Sequence, residues 1–223
     1  MVFVSPGIVN YTASYFNFGA TSISAFWEAR HSTNGSSSRI SYTFAGDMNG
    51  DSISANDLIY IPRDQAEMNF SAFTLGTRTF TAAEQAAAFD AYIQQDPYLS
   101  KNRGKYAERN GLVMPMFRSI DLSISQDLFH TIGSARNGFQ IRLDIVNFGN
   151  LLNSSWGVSQ RPVGTVNFNN QLQILTNPGV DAQGRATYRL ATVNNELITK
   201  TFQTAATTSD VYQFMISLRY TFN

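Results

Sequence analysis

Cysteine is missing from this 223-residue chain, which excludes disulfide staples and thiolate metal sites but leaves the compartment open. An excess of either charge is missing too. The 16 basic side chains balance 16 acidic ones, and no basic run reads as a phosphate-binding arm, so nucleic acid is disfavoured as a partner. No run of roughly 18 apolar residues occurs, hence no transmembrane helix is expected. The opening residues MVFVSPGIVNYTASYF lack the charged start, apolar centre and small-residue cleavage site of a secretory signal. Taken alone this suggests a cytosolic protein; it equally suits a piece whose targeting sequence lies upstream.

Aromatic residues are what the chain has in quantity, with 17 Phe and 10 Tyr against only 14% charged residues. Aromatic side chains suit pleated surfaces, so the composition leans toward β-structure. Period-two alternation supports this. In RSIDLSISQDLF, Ile120, Leu122, Ile124 and Leu128 share one face, opposite Ser119, Asp121, Ser123, Ser125 and Asp127. The segment NGFQIRLDIVNFGN sets Phe139, Ile141, Leu143 and Ile145 against Gln140, Arg142 and Asp144. The last, VYQFMISLRYTFN, sets Tyr212, Phe214, Ile216, Leu218, Tyr220 and Phe222 against Gln213, Met215, Ser217, Arg219 and Thr221. VNYTASYF and TSISAFWEARH repeat the habit less cleanly. Five strands are therefore expected, near 8–17, 20–31, 116–129, 138–149 and 210–222, each near the roughly 9–11 residues that cross a bilayer at a tilt.

The connections alternate short and long, with the long ones near 32–115 and 150–209. That is the rhythm of an outer-membrane barrel with brief periplasmic turns and extended outer loops. Within the first long connection, FTAAEQAAAFDAYIQQDP reads as a short helix: Thr81 and Glu84 have capping-box spacing, and Pro97 follows the end. In the second, QLQIL and RATYRLATV flank TNPGVDAQG and read as a hairpin.

Alternation fits two architectures. One is a soluble or cell-surface β-sandwich, a binding or adhesion module whose apolar face is a core. The other is an all-β, antiparallel transmembrane barrel segment, whose polar face lines a wet lumen where Asp121, Arg142, Asp144 and Arg219 can pair or be solvated. Aromatics on the apolar face, mid-strand charges and long loops favour the barrel.

Several stretches together resemble the C-terminal barrel segment of TonB-dependent outer-membrane receptors, of the Oar-like, Bacteroidetes type. They are GDMNGDSISANDLIYIP at 46–62, RGKYAERNG at 103–111, SIDLSISQDL at 119–128, LDIVNFGNLLN at 143–153 and the closing SLRYTFN. The resemblance implies the last five strands of a barrel of about 22, an active transporter or receptor for a scarce nutrient, and a bacterial outer-membrane location with a periplasmic C-terminus. The implied partners are the missing N-terminal barrel and plug of the same receptor, the TonB complex acting through that part, outer-membrane lipid, and an unknown extracellular ligand. The chain would then be a fragment, or one whose first Met is internal to a longer reading frame, since five strands leave both edges unpaired.

Individual sites are few. Asp47, Asn49, Asp51 and Asp57, with the carbonyl of Ile53, are spaced to offer oxygen ligands to calcium, which would stiffen a loop without catalysing anything. The spacing is a residue short of an EF-hand at its last ligand, and Ser52 stands where the sharp-turn glycine would be. A turn rich in Asx residues is the competing reading. The basic run KNRGKYAERNG at 101–111 suits either a solvated loop or an anionic contact, and Trp27 and Trp156 suit an interface belt. His31 and His130 are far apart, phosphate loops are absent, and no enzyme is expected.

Overall fold

The computed structural model describes residues 2–4, 12–13, 16–33, 37–54, 56–132, 135–167, 169–208 and 210–222, with side chains from 18 onward except 130–136. The expected strand at 8–17 thus lies largely outside the described residues. The chain divides into two compact units. The first comprises Met1–Arg30, Met116–Ser159 and Ala205–Asn223; the second comprises His31–Pro115 and Gln160–Thr204.

The first unit is built on one sheet, ordered Val2–Val4, Phe16–His31, Met116–Ile132, Ala135–Val146 and Gln213–Thr221, with Thr12–Ala13 paired to Phe16–His31. Register explains the alternation. Leu122 faces Ile145, Ile124 faces Leu143 and Leu128 faces Phe139. Those partners in turn face Phe214, Ile216 and Tyr220, so apolar rows run straight across three strands. The Phe139 and Tyr220 ring centroids lie 4.6 Å apart, the rings tilted by 37°. Polar rows alternate with them, such as Asp127, Gln140 and Arg219. Ile216, Leu218 and Phe222 are more than two-thirds exposed.

The second unit holds most of the core. Its largest sheet runs Thr165–Val166, Gln171–Val180, Arg39–Ala45 and Leu112–Val113, with Ala186–Leu190 also on Gln171–Val180. Gln171–Val180 and Arg39–Ala45 are parallel. Arg39–Ala45 is buried on both faces from Ile40 to Phe44, and Ile40, Tyr42, Leu172, Ile174 and Leu175 are almost fully enclosed. Helix α1 (Ala82–Gln95) lays Phe89, Tyr92 and Ile93 into this core. Its first turn is capped by Thr81, whose hydroxyl accepts from the Glu84 N–H at 3.1 Å. A second helix, α2 (Phe148–Leu152), belongs to the first unit.

The barrel expectation is corrected by this architecture. The large sheet is open, its first and last strands lying at opposite ends of the order, and five smaller open sheets and two α-helices accompany it among the described residues. The fold is mixed α/β, not all-β. The expected outer loops are not loops around a wall: most of both stretches packs as a unit with its own core. The physical reason for the misreading is that period-two alternation reports a strand with unlike faces, whether or not its sheet closes. The outer-membrane location, the transporter activity, and the partners drawn from a receptor barrel, plug, TonB complex, lipid and extracellular ligand rested on that closure and fall with it. No described helix is long and apolar enough to cross a membrane.

At the end of α1 sits Asp96, 0% exposed. Its Oδ2 accepts from the Tyr42 hydroxyl at 2.5 Å and the Thr201 hydroxyl at 2.6 Å. Its Oδ1 accepts from the backbone N–H groups of Tyr98 at 2.9 Å and Leu99 at 2.7 Å. Asp96→Asn places an amide donor against groups that are all donors to this side chain. It is expected to lower the unfolding free energy by about 2–4 kcal/mol in urea titrations. Burial, followed by the charges around it, raises the Tyr42 hydroxyl well above its ordinary range, and burial raises Tyr92 likewise. Both are therefore neutral in the fold at pH values where the unfolded chain ionises. Their contribution is complete below about pH 10 and is lost as pH rises beyond it. Tyr42→Phe together with Tyr92→Phe is expected to flatten that alkaline fall in a pH series of melting temperatures.

Candidate functional site

A cleft of about 630 Å³ in the second unit brings together apolar and charged groups from distant parts of the chain, and its volume is within the size range of small-molecule sites. Its apolar lining is Ala88 from α1, Val163, Val193, Leu197 and Ile198, interrupted by Asn194, Thr199 and Gln203. The hairpin Thr192–Val193 and Glu196–Leu197 supplies one wall. Asn194 and Asn195 turn it with φ of 52° and 63°, the left-handed pair that a tight two-residue hairpin requires and that asparagine tolerates. Behind the hairpin, the Ala191 N–H donates to the Ile174 carbonyl at 2.9 Å and the Ile198 N–H to the Ala191 carbonyl at 3.0 Å. The wall is thereby tied to the core sheet.

The rim is charged. Arg78 comes from the strand Arg78–Phe80, its guanidinium 4.6 Å above the Phe80 ring centroid. It donates to Glu84 Oε1 at 2.9 Å and also pairs with Glu196. The hydrogen bond that Arg78 donates to Glu84, then the one it donates to Glu196, hold the guanidinium proton more firmly than usual. Lys200 lies on the same rim, and no described carboxylate pairs with it. The backbone on its C-terminal side is fixed, because the Val163 N–H donates to the Thr201 carbonyl at 2.9 Å and the Thr201 hydroxyl is held by Asp96. Sequence reading missed this cleft. Val193-Asn194-Asn195-Glu196 was a legible hairpin signal, but the convergence of residues 78, 88, 163 and 200 was not.

The residues singled out from sequence fall elsewhere. Asp121, Arg142 and Asp144 line one hollow of about 350 Å³ in the first unit, together with Ser123, Phe26 and Met215. Arg142 Nε donates to Asp144 Oδ1 at 2.8 Å, and the guanidinium, followed by the Ser123 hydroxyl, holds the Asp144 carboxyl below its ordinary range. Arg219 is apart from them, beside Asp127 and Gln140. Since the lumen they were assigned to is not formed, these are polar rows of an open sheet. Asp121 serves the backbone, its Oδ1 accepting from the Asn147 N–H at 2.8 Å. Asn147, left-handed at φ 51°, donates from Nδ2 to the carbonyls of Gly157 at 2.9 Å and Asp210 at 2.7 Å.

The loop expected to hold calcium curls on its own backbone. Asp47 accepts from Gly50 N–H at 2.7 Å and Ser52 N–H at 2.8 Å, and Asn49 from Asp51 N–H at 2.9 Å. Asp51 accepts from Ile53 N–H at 2.8 Å, and Asp57 from Met48 N–H at 2.6 Å. Ser52 adopts φ 67° where glycine was expected. The Asn56 amide, then the Ile53 N–H, lower the Asp51 carboxyl below its ordinary range. No three acidic or imidazole side chains converge on a metal position among the described residues. In the basic run, Arg103 pairs with Asp90 at 2.8 Å and donates to the Pro62 carbonyl at 3.2 Å, a packing role. His31 Nδ1 lies 2.8 Å from the Met114 carbonyl; the His130 side chain is outside the described residues. Trp27 and Trp156 are both more than half exposed.

Compared with known proteins, the chain matches no family model, no curated protein and no solved structure. The resemblance to TonB-dependent receptors is corrected by the open sheets and two helices of the mixed α/β fold. One consequence of the Asn147 geometry is directly measurable: Asn147→Ala strips two buried carbonyls of their donor, and is expected to cost about 2–3 kcal/mol of unfolding free energy.

Proposed function

We propose that the chain acts as a binding module whose second unit presents a small-ligand cleft. This is the second of the two readings of the sequence, without its sandwich architecture. The observation that carries it is the cleft between α1 and the Thr192–Leu197 hairpin, where apolar side chains lie beside polar groups and two glutamates held by Arg78. An apolar cavity with a few oriented polar groups gains affinity from desolvating its apolar lining, and orientation from the rim. The groups on this rim have no base-and-nucleophile pairing, and binding is the chemistry they serve best.

Ala88, half-buried on α1, gives access to that lining, and Ala88→Phe fills the cleft. Saturable binding of small amphipathic probes, followed by isothermal calorimetry, is expected for the native chain and is expected to vanish in Ala88→Phe at unchanged melting temperature. Probe binding that survives the filled cleft would overturn this reading.

Calcium in the loop of Asp47, Asn49, Asp51, Ile53 and Asp57 belongs to the same proposal as a stabiliser. Each accepting oxygen commits one lone pair to a backbone N–H and keeps another, so the curled loop leaves lone pairs for a cation. Millimolar calcium is expected to raise the melting temperature relative to a chelator, and Asp47→Asn with Asp51→Asn to abolish the difference. Identical melting curves with and without calcium would remove the ion from the proposal.

A further inference from the structure

The sheet of the first unit carries a broad apolar face that the chain itself leaves open to water. Alternate residues of a strand share a face, and on Gln213–Thr221 and the residue after it this brings together Phe214, Ile216, Leu218, Tyr220 and Phe222, each between 51% and 78% exposed. Ring contacts agree with that sharing: the Tyr220 centroid lies 5.9 Å from that of Phe222 and 4.6 Å from that of Phe139 on the neighbouring strand. Phe139 and Ile141, opposite Tyr220 and Leu218, extend the patch with 40% and 42% of their own surfaces. With roughly 150–250 Å² for a large apolar side chain, these seven leave on the order of 800 Å² of contiguous apolar surface in water. The largest such patch on a typical soluble monomer is about 300–600 Å². A stable dimer buries about 800 Å² per partner.

We propose that this face packs against the same face of a second copy of the chain, forming a two-layer sandwich about a two-fold axis. The area is one argument for that occupant, and charge is the other. In a two-fold contact the patch meets itself, so a charged patch would oppose its own sign. Within the paired lengths of the two strands the charged residues are Arg142, Asp144 and Arg219, and all three take the opposite face. The apolar face therefore meets its copy without a like-charge clash, and the two inner faces interdigitate as in any aligned sandwich. A bilayer suits this sheet less well. Gln213–Thr221 pairs only with Ala135–Val146 among the described residues. Backbone groups on its outer edge can bond water at the rim of a sandwich but find no partner in hydrocarbon.

Sedimentation equilibrium of the whole chain at micromolar concentrations is the test, and a species of twice the chain's mass is expected. Leu218→Lys and, separately, Ile216→Lys put an ammonium into the contact at positions already open to water in a single copy. Each is expected to weaken self-association by roughly a hundredfold or more, with an unchanged circular dichroism spectrum. Met215→Lys, on the other face of the same strand, is expected to leave the dimer intact. A dimer that survives both Leu218→Lys and Ile216→Lys, or one that Met215→Lys also dissociates, would overturn the assignment to this face. Open-ended oligomers would overturn it as well, because a two-fold contact closes at two copies. A chain that stays monomeric would overturn the second copy as occupant, and its binding to phosphatidylcholine vesicles, lost in Leu218→Lys, would give the face to a lipid surface instead.

Discussion

A single buried carboxyl group, that of Asp96, ties together parts of the chain that are far apart in sequence. It closes the C-terminal end of α1, starts the short 3-10 turn Leu99–Lys101 through two backbone N–H groups, and takes hydroxyl hydrogen bonds from Tyr42 on a central strand and from Thr201. A polar group taken fully out of water is tolerable only when its hydrogen bonds are replaced. All four replacements are directional, so they specify where α1, the central strand and the segment after Ile198 must sit. The cleft inherits its geometry from this arrangement. Ala88 and Glu84 are carried on α1, and Lys200 is the residue immediately before Thr201.

Other hydrogen-bonded polar groups in the second unit, buried or half-buried, follow the same logic. Gln85, 0% exposed, donates to the Ser71 carbonyl at 2.8 Å and accepts from the Leu190 N–H at 3.1 Å. Asp181 closes the turn after Gln171–Val180 by accepting from Gln183 and Arg185 N–H groups, and it accepts from the Asn69 amide 112 positions away. In the first unit, Asn147 plays this part, tying the carbonyls of Gly157 and Asp210 to the end of Ala135–Val146. The two units differ in how apolar surface is handled. The second encloses its large side chains, whereas the first leaves Phe214, Ile216, Leu218 and Phe222 exposed on an open sheet.

Legibility in the sequence tracked the kind of burial. One-sided strands such as Met116–Ile132 and Ala135–Val146 carry alternation that any reader of the chain sees, and the Thr81–Glu84 spacing marks the start of α1. Arg39–Ala45 is passed over inside the stretch 32–115 that reads as a connection, and it is enclosed on both sides, with Ser41 and Thr43 inside. Its sequence does alternate, Ile40, Tyr42 and Phe44 against Arg39, Ser41 and Thr43, but the burial of the polar face is not written in that pattern. The hairpin around Asp181 was readable from its turn residues, but its parallel pairing with Arg39–Ala45 was not, since no local signal encodes a partner some 130 residues away. Calcium spacing in 47–57 was legible as spacing, yet the same Asp and Asn side chains serve the loop's own N–H groups.

By itself the sequence determined where strands with unlike faces run, where α1 begins, and which turns close on Asx residues, because each of these is written in neighbours a few positions apart. Tertiary structure alone decided that the large sheet stays open, that two long connecting stretches share one core, and that Arg78, Ala88, Val163 and Lys200 meet around a cleft. Those outcomes depend on pairings across many tens of residues. Alternation fixes which face a side chain takes but carries no information about which strand, or which unit, lies opposite it.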